Sequence, residues 1–218
     1  MERSVQNTLR VLRHLERDNP DLVEIRLDLM KTTSSISKIR DITYRPIIAT
    51  NRRRDEGGSF LGTEEARVGM LLRAARDGFD YVDVELKTKN ATKLVRRLEH
   101  EGAKAIVSYH NGKTTPRLSA LESILERERS AGADVCKIVT TAKSHADSLR
   151  CLSFVNKHAR RTKLVCFAMG RLGIPSRVLS PIFGAYFTFA SLGAGRETAV
   201  GQITVNSLRT VYKEFGMT

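Results

Sequence analysis

Short apolar runs of strand length alternate with amphipathic helical segments along almost the whole chain, and this rhythm restricts the fold more than any other feature. The candidate strands are residues 22–29, 46–50, 81–86, 104–109, 134–139, 163–168 and 185–189. Between them Val5, Leu9, Leu12 and Leu15 share one helical face, as do Val68, Leu71, Leu72 and Ala75. Thr63 is placed to cap the second of these helices and Gly78 to stop it. Leu94, Val95 and Leu98 run up to Gly102, and Leu118, Leu121 and Leu125 run up to Gly132. Leu149, Leu152 and Val155 follow Ser144, and Val205, Leu208, Val211, Tyr212 and Phe215 form a last helix. Ile36 and Ile39 mark a short helix at most. Strands joined by helices run parallel and carry the helices on their faces. The 218 residues show no linker, low-complexity tract or break in composition, so one domain over residues 1–218 is expected. The pattern alone leaves a closed barrel and an open doubly wound sheet both standing.

Composition narrows the function classes. With 41% hydrophobic and 28% charged residues the chain is globular rather than disordered. No stretch approaches the roughly 20 apolar residues of a membrane helix. The opening Met1-Glu2-Arg3-Ser4 lacks the apolar core of a secretory signal, so a cytoplasmic protein with no membrane partner is expected. The formal charge of +13 raises the question of a nucleic-acid partner. The basic residues are dispersed, however. Arg52-Arg53-Arg54 is followed at once by Asp55-Glu56, while Arg96-Arg97 and Arg160-Arg161-Lys163 lie on polar helix faces. There is no Trp and no interleaving of aromatic with basic residues. A solvated basic surface without nucleic acid is the expectation, and the same field favours an anionic small-molecule substrate. Cys136, Cys151 and Cys166 are odd in number, fit no zinc spacing and read as structural thiols.

The strand faces carry the chemistry. Side chains alternate along a strand, so Val23, Ile25, Leu27 and Leu29 oppose Glu24, Arg26 and Asp28. Val82, Val84 and Leu86 likewise oppose Asp83 and Glu85; Ser108 and His110 share a parity, and Lys137 shares its face with Val135 and Val139. Parallel sheets are covered on both faces, so the polar face is not simply solvent. In a barrel that face would gather Glu24, Arg26, Asp28, Asp83, Glu85, His110 and Lys137 toward the carboxyl ends of the strands, where barrel enzymes place their chemistry. Buried charges are costly unless paired, so such a gathering suggests a site. A lysine in an apolar strand can snorkel to the surface; one held out of water attacks carbonyls as a free amine. His110 is a candidate for moving protons near neutral pH. It has no second His or Cys at a ligand spacing, so no metal is expected. The segment Met169-Gly170-Arg171-Leu172-Gly173-Ile174-Pro175-Ser176-Arg177 is not a phosphate-binding P-loop, and its Arg177 suits a bidentate pair with a carboxylate. Gly193, Gly195 and Gly201 lie in a stretch, residues 191–202, that reads as simple turns or as a lid.

In order along the chain, these residues resemble the type I 3-dehydroquinate dehydratases. The resemblance runs from about residue 5 to residue 215 and rests on Glu24-Ile25-Arg26-Leu27-Asp28, Thr50-Asn51-Arg52 and Glu56-Gly57-Gly58. It continues through Asp83-Val84-Glu85-Leu86, Ser108-Tyr109-His110, Lys137, Met169-Gly170, Gly173, Ser176-Arg177 and Gly201-Gln202. The resemblance implies a TIM-type (β/α)8 barrel with no metal or organic cofactor, acting as a homodimer on 3-dehydroquinate. It implies that Lys137 attacks the substrate ketone to form an imine and that His110 is the general acid/base, oriented by Glu56. Arg177 would grip the substrate carboxylate. Glu24, Arg26, Arg52 and Gln202 would contact hydroxyls or position the ring, and Met169 would pack against the intermediate.

The chain departs from the family in three ways. Thr198-Ala199-Val200-Gly201-Gln202 stands where the family carries Ser-Ala-Pro-Gly-Gln, so Thr198 keeps a hydroxyl for substrate while Val200 loosens the backbone. The apolar strand that opens other members is not found before the first helix, so a barrel short of its first strand is expected. The competing readings are another Schiff-base barrel of the class I aldolase kind, a basic nucleic-acid-binding protein, and an inactive relative of the dehydratases.

Overall fold

Six of the seven candidate runs are strands: β1 (Val23–Arg26), β2 (Ile47–Thr50), β3 (Tyr81–Glu85), β4 (Lys104–His110), β5 (Val135–Thr141) and β6 (Leu164–Met169). The computed structural model describes residues 4–15, 19–33, 35–193, 195 and 197–217. Its helices are α1 (Val5–His14), α2 (Ser37–Arg40), α3 (Glu64–Arg76), α4 (Ala91–His100), α5 (Leu118–Ser130), α6 (His145–His158), α7 (Ile174–Leu179) and α8 (Val205–Glu214). The helix starts are set by local side chains. Thr63 Oγ1 accepts from Ala66 N at 3.2 Å, and Ser144 and Asp147 cap α6 reciprocally.

The strands follow the order β1-β2-β3-β4-β5-β6. A doubly wound sheet reverses its strand order at a switch point, and no reversal occurs here. The first three pairings are parallel, with Arg26 opposite Thr50, Thr50 opposite Asp83 and Glu85 opposite Ser108. This register brings the polar residues of neighbouring strands level with one another at their carboxyl ends.

The chain divides into two compact units: the described residues of Glu2–His110 with Glu122–Lys137, and those of Asn111–Leu121 with Ile138–Thr218. In the first, Val82, Val84, Ala105 and Val107 of the strands are buried in one cluster with Leu71, Leu72 and Ala75 of α3 and Leu94, Val95 and Leu98 of α4. Val5, Leu12, Leu15, Ile36 and Ile39 extend the same cluster. In the second, Leu164 to Ala168 of β6 are all buried, together with Cys151, Leu152, Phe154 and Val155 of α6 and Leu208 of α8.

Several expectations are corrected. Residues 185–189 form no strand. Tyr186 N donates to Leu164 O, but ring packing of Phe187 and Phe167 on Phe189 and a bond from the Thr188 hydroxyl to Arg177 O replace a ladder. The first run is a strand only to Arg26, and Leu27–Leu29 is a 3-10 turn. Leu149 is 63% exposed, because Ser148, Cys151, Leu152 and Val155 carry the inner face of α6. Leu118 and Phe215 are also exposed. Within the stretch 191–202, residues 194 and 196 lie outside the described ones.

Candidate active site

In the first unit the carboxyl ends of β1 to β5 hold a chain of charges whose sign alternates. Lys137 on β5 is 3% exposed, and its Nζ donates to Asp83 Oδ2 at 2.8 Å, with Glu24 Oε1 at 3.7 Å. Arg52, just past β2, donates to the same Asp83 oxygen at 2.6 Å and to Ser108 Oγ at 2.8 Å, and meets Glu85 Oε1 at 3.2 Å. The Ser108 hydroxyl donates in turn to Asp83 Oδ1 at 2.6 Å. The other Glu85 oxygen accepts from Arg67 of α3, which also donates to Glu64, Thr88 Oγ1 and the Asn51 carbonyl. From Arg67 through Glu85, Arg52 and Asp83 to Lys137 and Glu24, each charge faces its opposite, which offsets the cost of burial. Burial alone would raise the Asp83 carboxyl; Arg52 and Lys137 outweigh it and hold that group well below the usual carboxylate range. Burial also works against the Arg52 charge, and Asp83 and Glu85 more than restore it.

Arg26 and Asp28 form a two-pronged pair, Nε to Oδ1 at 2.8 Å and Nη2 to Oδ2 at 2.7 Å. Asp28 Oδ2 also accepts from Ser59 N at 2.9 Å, tying the Glu56-Gly57-Gly58 turn to the 3-10 turn that follows β1. That turn needs its glycines. Gly57 has φ 84°, and a Cβ on Gly58 would lie 2.0 Å from Arg52 O. The turn delivers Glu56 to His110 at the end of β4, with Oε2 3.1 Å from Nδ1. Burial, aided by the cations Arg52 and Lys137, holds the His110 imidazole well below its ordinary range, so it stands neutral. Burial pushes the Glu56 carboxyl up to about 7. A neutral imidazole held through Nδ1 by a carboxylate presents Nε2 as a base.

Among the described residues no group of three or more His, Cys, Asp or Glu side chains is placed to hold a metal ion, and no helix is long and apolar enough to cross a membrane.

The profile of the type I 3-dehydroquinase family matches residues 1–218. The chain belongs to the type I 3-dehydroquinase family. A 3-dehydroquinate dehydratase of Dehalococcoides mccartyi strain 195 is 38% identical over 190 residues, covering 87% of this chain and 84% of the relative. The enzyme of the same description from Methanosarcina barkeri is 32% identical over 218 residues, covering 95% and 90%. The crystal structure of 3-dehydroquinate dehydratase from Geobacillus kaustophilus superposes with a TM-score of 0.88 at 29% identity, covering 97% of this chain and 86% of that one.

The second unit holds the remaining residues that the type I 3-dehydroquinase motifs single out. Arg177 of α7 is 1% exposed, lies 4.2 Å from the Phe167 ring and touches Phe189 O at 3.5 Å through Nη1. Its Nε and Nη2 have no hydrogen-bond partner among the described residues, and burial lowers the group to about 10. Met169 ends β6, and Gly170 N donates to Val200 O at 3.1 Å. A Cβ on Gly201 would lie 2.6 Å from Gly170 O, so the two backbones meet where only glycine fits. Gln202 Oε1 accepts from Thr198 N at 2.7 Å and from the Thr198 hydroxyl at 3.3 Å, which leaves the Gln202 amide nitrogen to donate elsewhere. Val200, in place of the usual proline, supplies the carbonyl that Gly170 uses.

The structure thus brings together Lys137, Glu24, Arg26, Arg52, Glu56 and His110 in one unit, and gives Arg177, Met169, Thr198 and Gln202 their places in the other. Arg67 and Glu128 are among the buried ionisable residues that the sequence did not single out. Arg67 stands in phase with Leu71 and Ala74 on the buried face of α3. Glu128 is in phase with Leu121, Ile124 and Leu125 on α5. Burial together with Asp83 outweighs the Lys137 backbone N–H and raises the Glu128 carboxyl well above its ordinary value.

Proposed function

We propose that the chain dehydrates 3-dehydroquinate to 3-dehydroshikimate through a Schiff base on Lys137, a hydro-lyase step of the shikimate pathway. The observation that carries this reading is the Lys137 amine, buried yet held within 2.8 Å of Asp83 in the same unit as the His110–Glu56 pair. Imine formation joins Nζ to the ketone carbon and expels its oxygen as water. It needs the amine without its extra proton; neutral His110 is a base available to take that proton and then give it to the departing oxygen, which leaves the imidazole neutral again. The iminium then draws electrons from the adjacent carbon, which loses a proton to His110. The substrate hydroxyl leaves as water with His110 as acid, and hydrolysis of the imine returns Lys137. Arg177 receives the substrate carboxylate, for which its unpartnered nitrogens are suited. Glu24, Arg26, Arg52, Thr198 and Gln202 hold hydroxyls or the ring, and Met169 packs on the intermediate.

The proposal includes a (β/α)8-type barrel over residues 1–218, supported by strands that follow sequence order without reversal. It also includes a cytoplasmic homodimer that needs neither metal nor organic cofactor, as the family resemblance implies. Incubation with 3-dehydroquinate should release an absorbing conjugated enone, and His110→Ala should slow that release by about 10²–10⁴-fold. Carbon–carbon cleavage in place of water loss would move the chain to the aldolase kind.

A further inference from the structure

One Glu56 oxygen faces His110, while the other, Oε1, is buried without a hydrogen bond among the described residues. Lys87 Nζ lies 3.8 Å from that second oxygen. The Lys87 side chain is 49% exposed and the Glu56 side chain 0%, so the lysine comes from the solvent side, just past the end of β3. The other charged and titratable groups around Glu56 are Arg52 past β2, Asp83 and Glu85 on β3, His110 on β4 and Glu128 on α5. Arg52 is already committed to Asp83, Ser108 and Glu85. The three carboxyl groups, where ionised, oppose a charge on Glu56. Arg52, though shared among those partners, still supports it; Lys87 is a second cation doing so, from the solvent side, where Asp55 also feels its charge.

The charge on Glu56 decides what His110 can do. An ionised Glu56 accepts the Nδ1 proton and leaves the Nε2 lone pair free as a base. A protonated Glu56 donates to Nδ1 instead, the imidazole carries its proton on Nε2, and no base is presented. Burial brings the Glu56 carboxyl to about 7, where a neighbouring charge has most effect on the ionised fraction.

We propose that Lys87 is a positioning residue of this reaction: its ammonium keeps Glu56 ionised, and so keeps His110 in the tautomer that serves as base. The inference rests on the dehydration reading, in which His110 is the base. A residue acting only on the fold would shift neither the Glu56 titration nor the pH dependence of turnover.

The test follows the Glu56 side-chain carbon by NMR across pH, with no substrate present, in the native chain and in Lys87→Met, Lys87→Arg and Lys89→Met. Lys87→Met should raise the Glu56 midpoint by roughly half to one pH unit, the scale of one charge at this distance in a wet setting. Lys87→Arg should stay near the native midpoint, and Lys89→Met should not move it. Added salt should carry the native midpoint toward that of Lys87→Met, since the pair is half in water. The acid limb of kcat/KM should then move upward by the same interval, with the plateau above it within about twofold of native, as a neighbour that only tunes Glu56 requires. An unmoved midpoint in Lys87→Met, or a moved midpoint with an unmoved acid limb, overturns the proposal. A native chain that titrates as expected but never turns over 3-dehydroquinate instead overturns the dehydration reading, and the midpoints still decide whether Lys87 holds the Glu56 charge.

Discussion

Arg52 and Arg177 are both buried arginines, 4% and 1% exposed, held on opposite terms. Arg52 has two carboxylates and a serine hydroxyl within its reach. Arg177 has an aromatic ring, a distant carbonyl and two nitrogens with no partner among the described residues. Their proton affinities move in opposite directions for that reason: upward for Arg52, whose carboxylates outweigh burial, and downward to about 10 for Arg177, where burial acts alone. At neutral pH both remain cations. A charge balanced from within holds other groups in place, and a charge left unbalanced is suited to an anion from outside. The substrate carboxylate is that anion in the proposed reaction.

Stability against turnover is the way to break this comparison. Arg52→Met removes the cation that Asp83 and Glu85 share and leaves Arg67 and Lys137 to face three buried or half-buried carboxylates, so denaturant unfolding should show a loss of about 3 kcal/mol. Arg177→Met removes an uncompensated charge and keeps much of the side-chain volume. It should unfold within about 1 kcal/mol of native, or later, since only the ring contact and a long hydrogen bond are lost. Its kcat/KM should nevertheless fall by about 10²–10³-fold, the scale of a lost buried charge pair with a ligand. If Arg177→Met proved as unstable as Arg52→Met, the two arginines would not differ in kind.

Glu128 sharpens the same contrast at smaller amplitude. It too is buried, and burial together with Asp83 raises its carboxyl well above its ordinary value. A carboxyl raised in the folded state stabilises the fold fully below its unfolded value near 4.5 and loses that contribution as pH rises through the folded value. The native chain should therefore lose stability with rising pH over that interval, and Glu128→Gln should lack this part of the slope. At pH 6 the variant should lie within about 1 kcal/mol of native, because the amide replaces a neutral acid of the same shape.

What could be read in advance followed from strand period. Charges at alternate positions of an apolar run in a parallel sheet have a covered face to go to, so Glu24, Arg26, Asp83, Glu85, His110 and Lys137 stood out. Arg67 and Glu128 did not. On a helix of a chain carrying +13, one charged residue in phase with leucines looks like a side chain reaching for solvent. Residues 185–189 have strand composition, yet aromatic packing and a threonine bond to Arg177 O replace the ladder, which no local pattern reveals. Met169, Thr198 and Gln202 came from the family motif alone, since their positions depend on how two glycine backbones, at 170 and 201, approach each other.

The central claim is a covalent one and can be met directly. Borohydride added with 3-dehydroquinate should fix a reduced adduct, and peptide mass analysis should place it on Lys137. Lys137→Ala should show neither adduct nor turnover. An adduct on another lysine, or undiminished turnover by Lys137→Ala, would contradict the account.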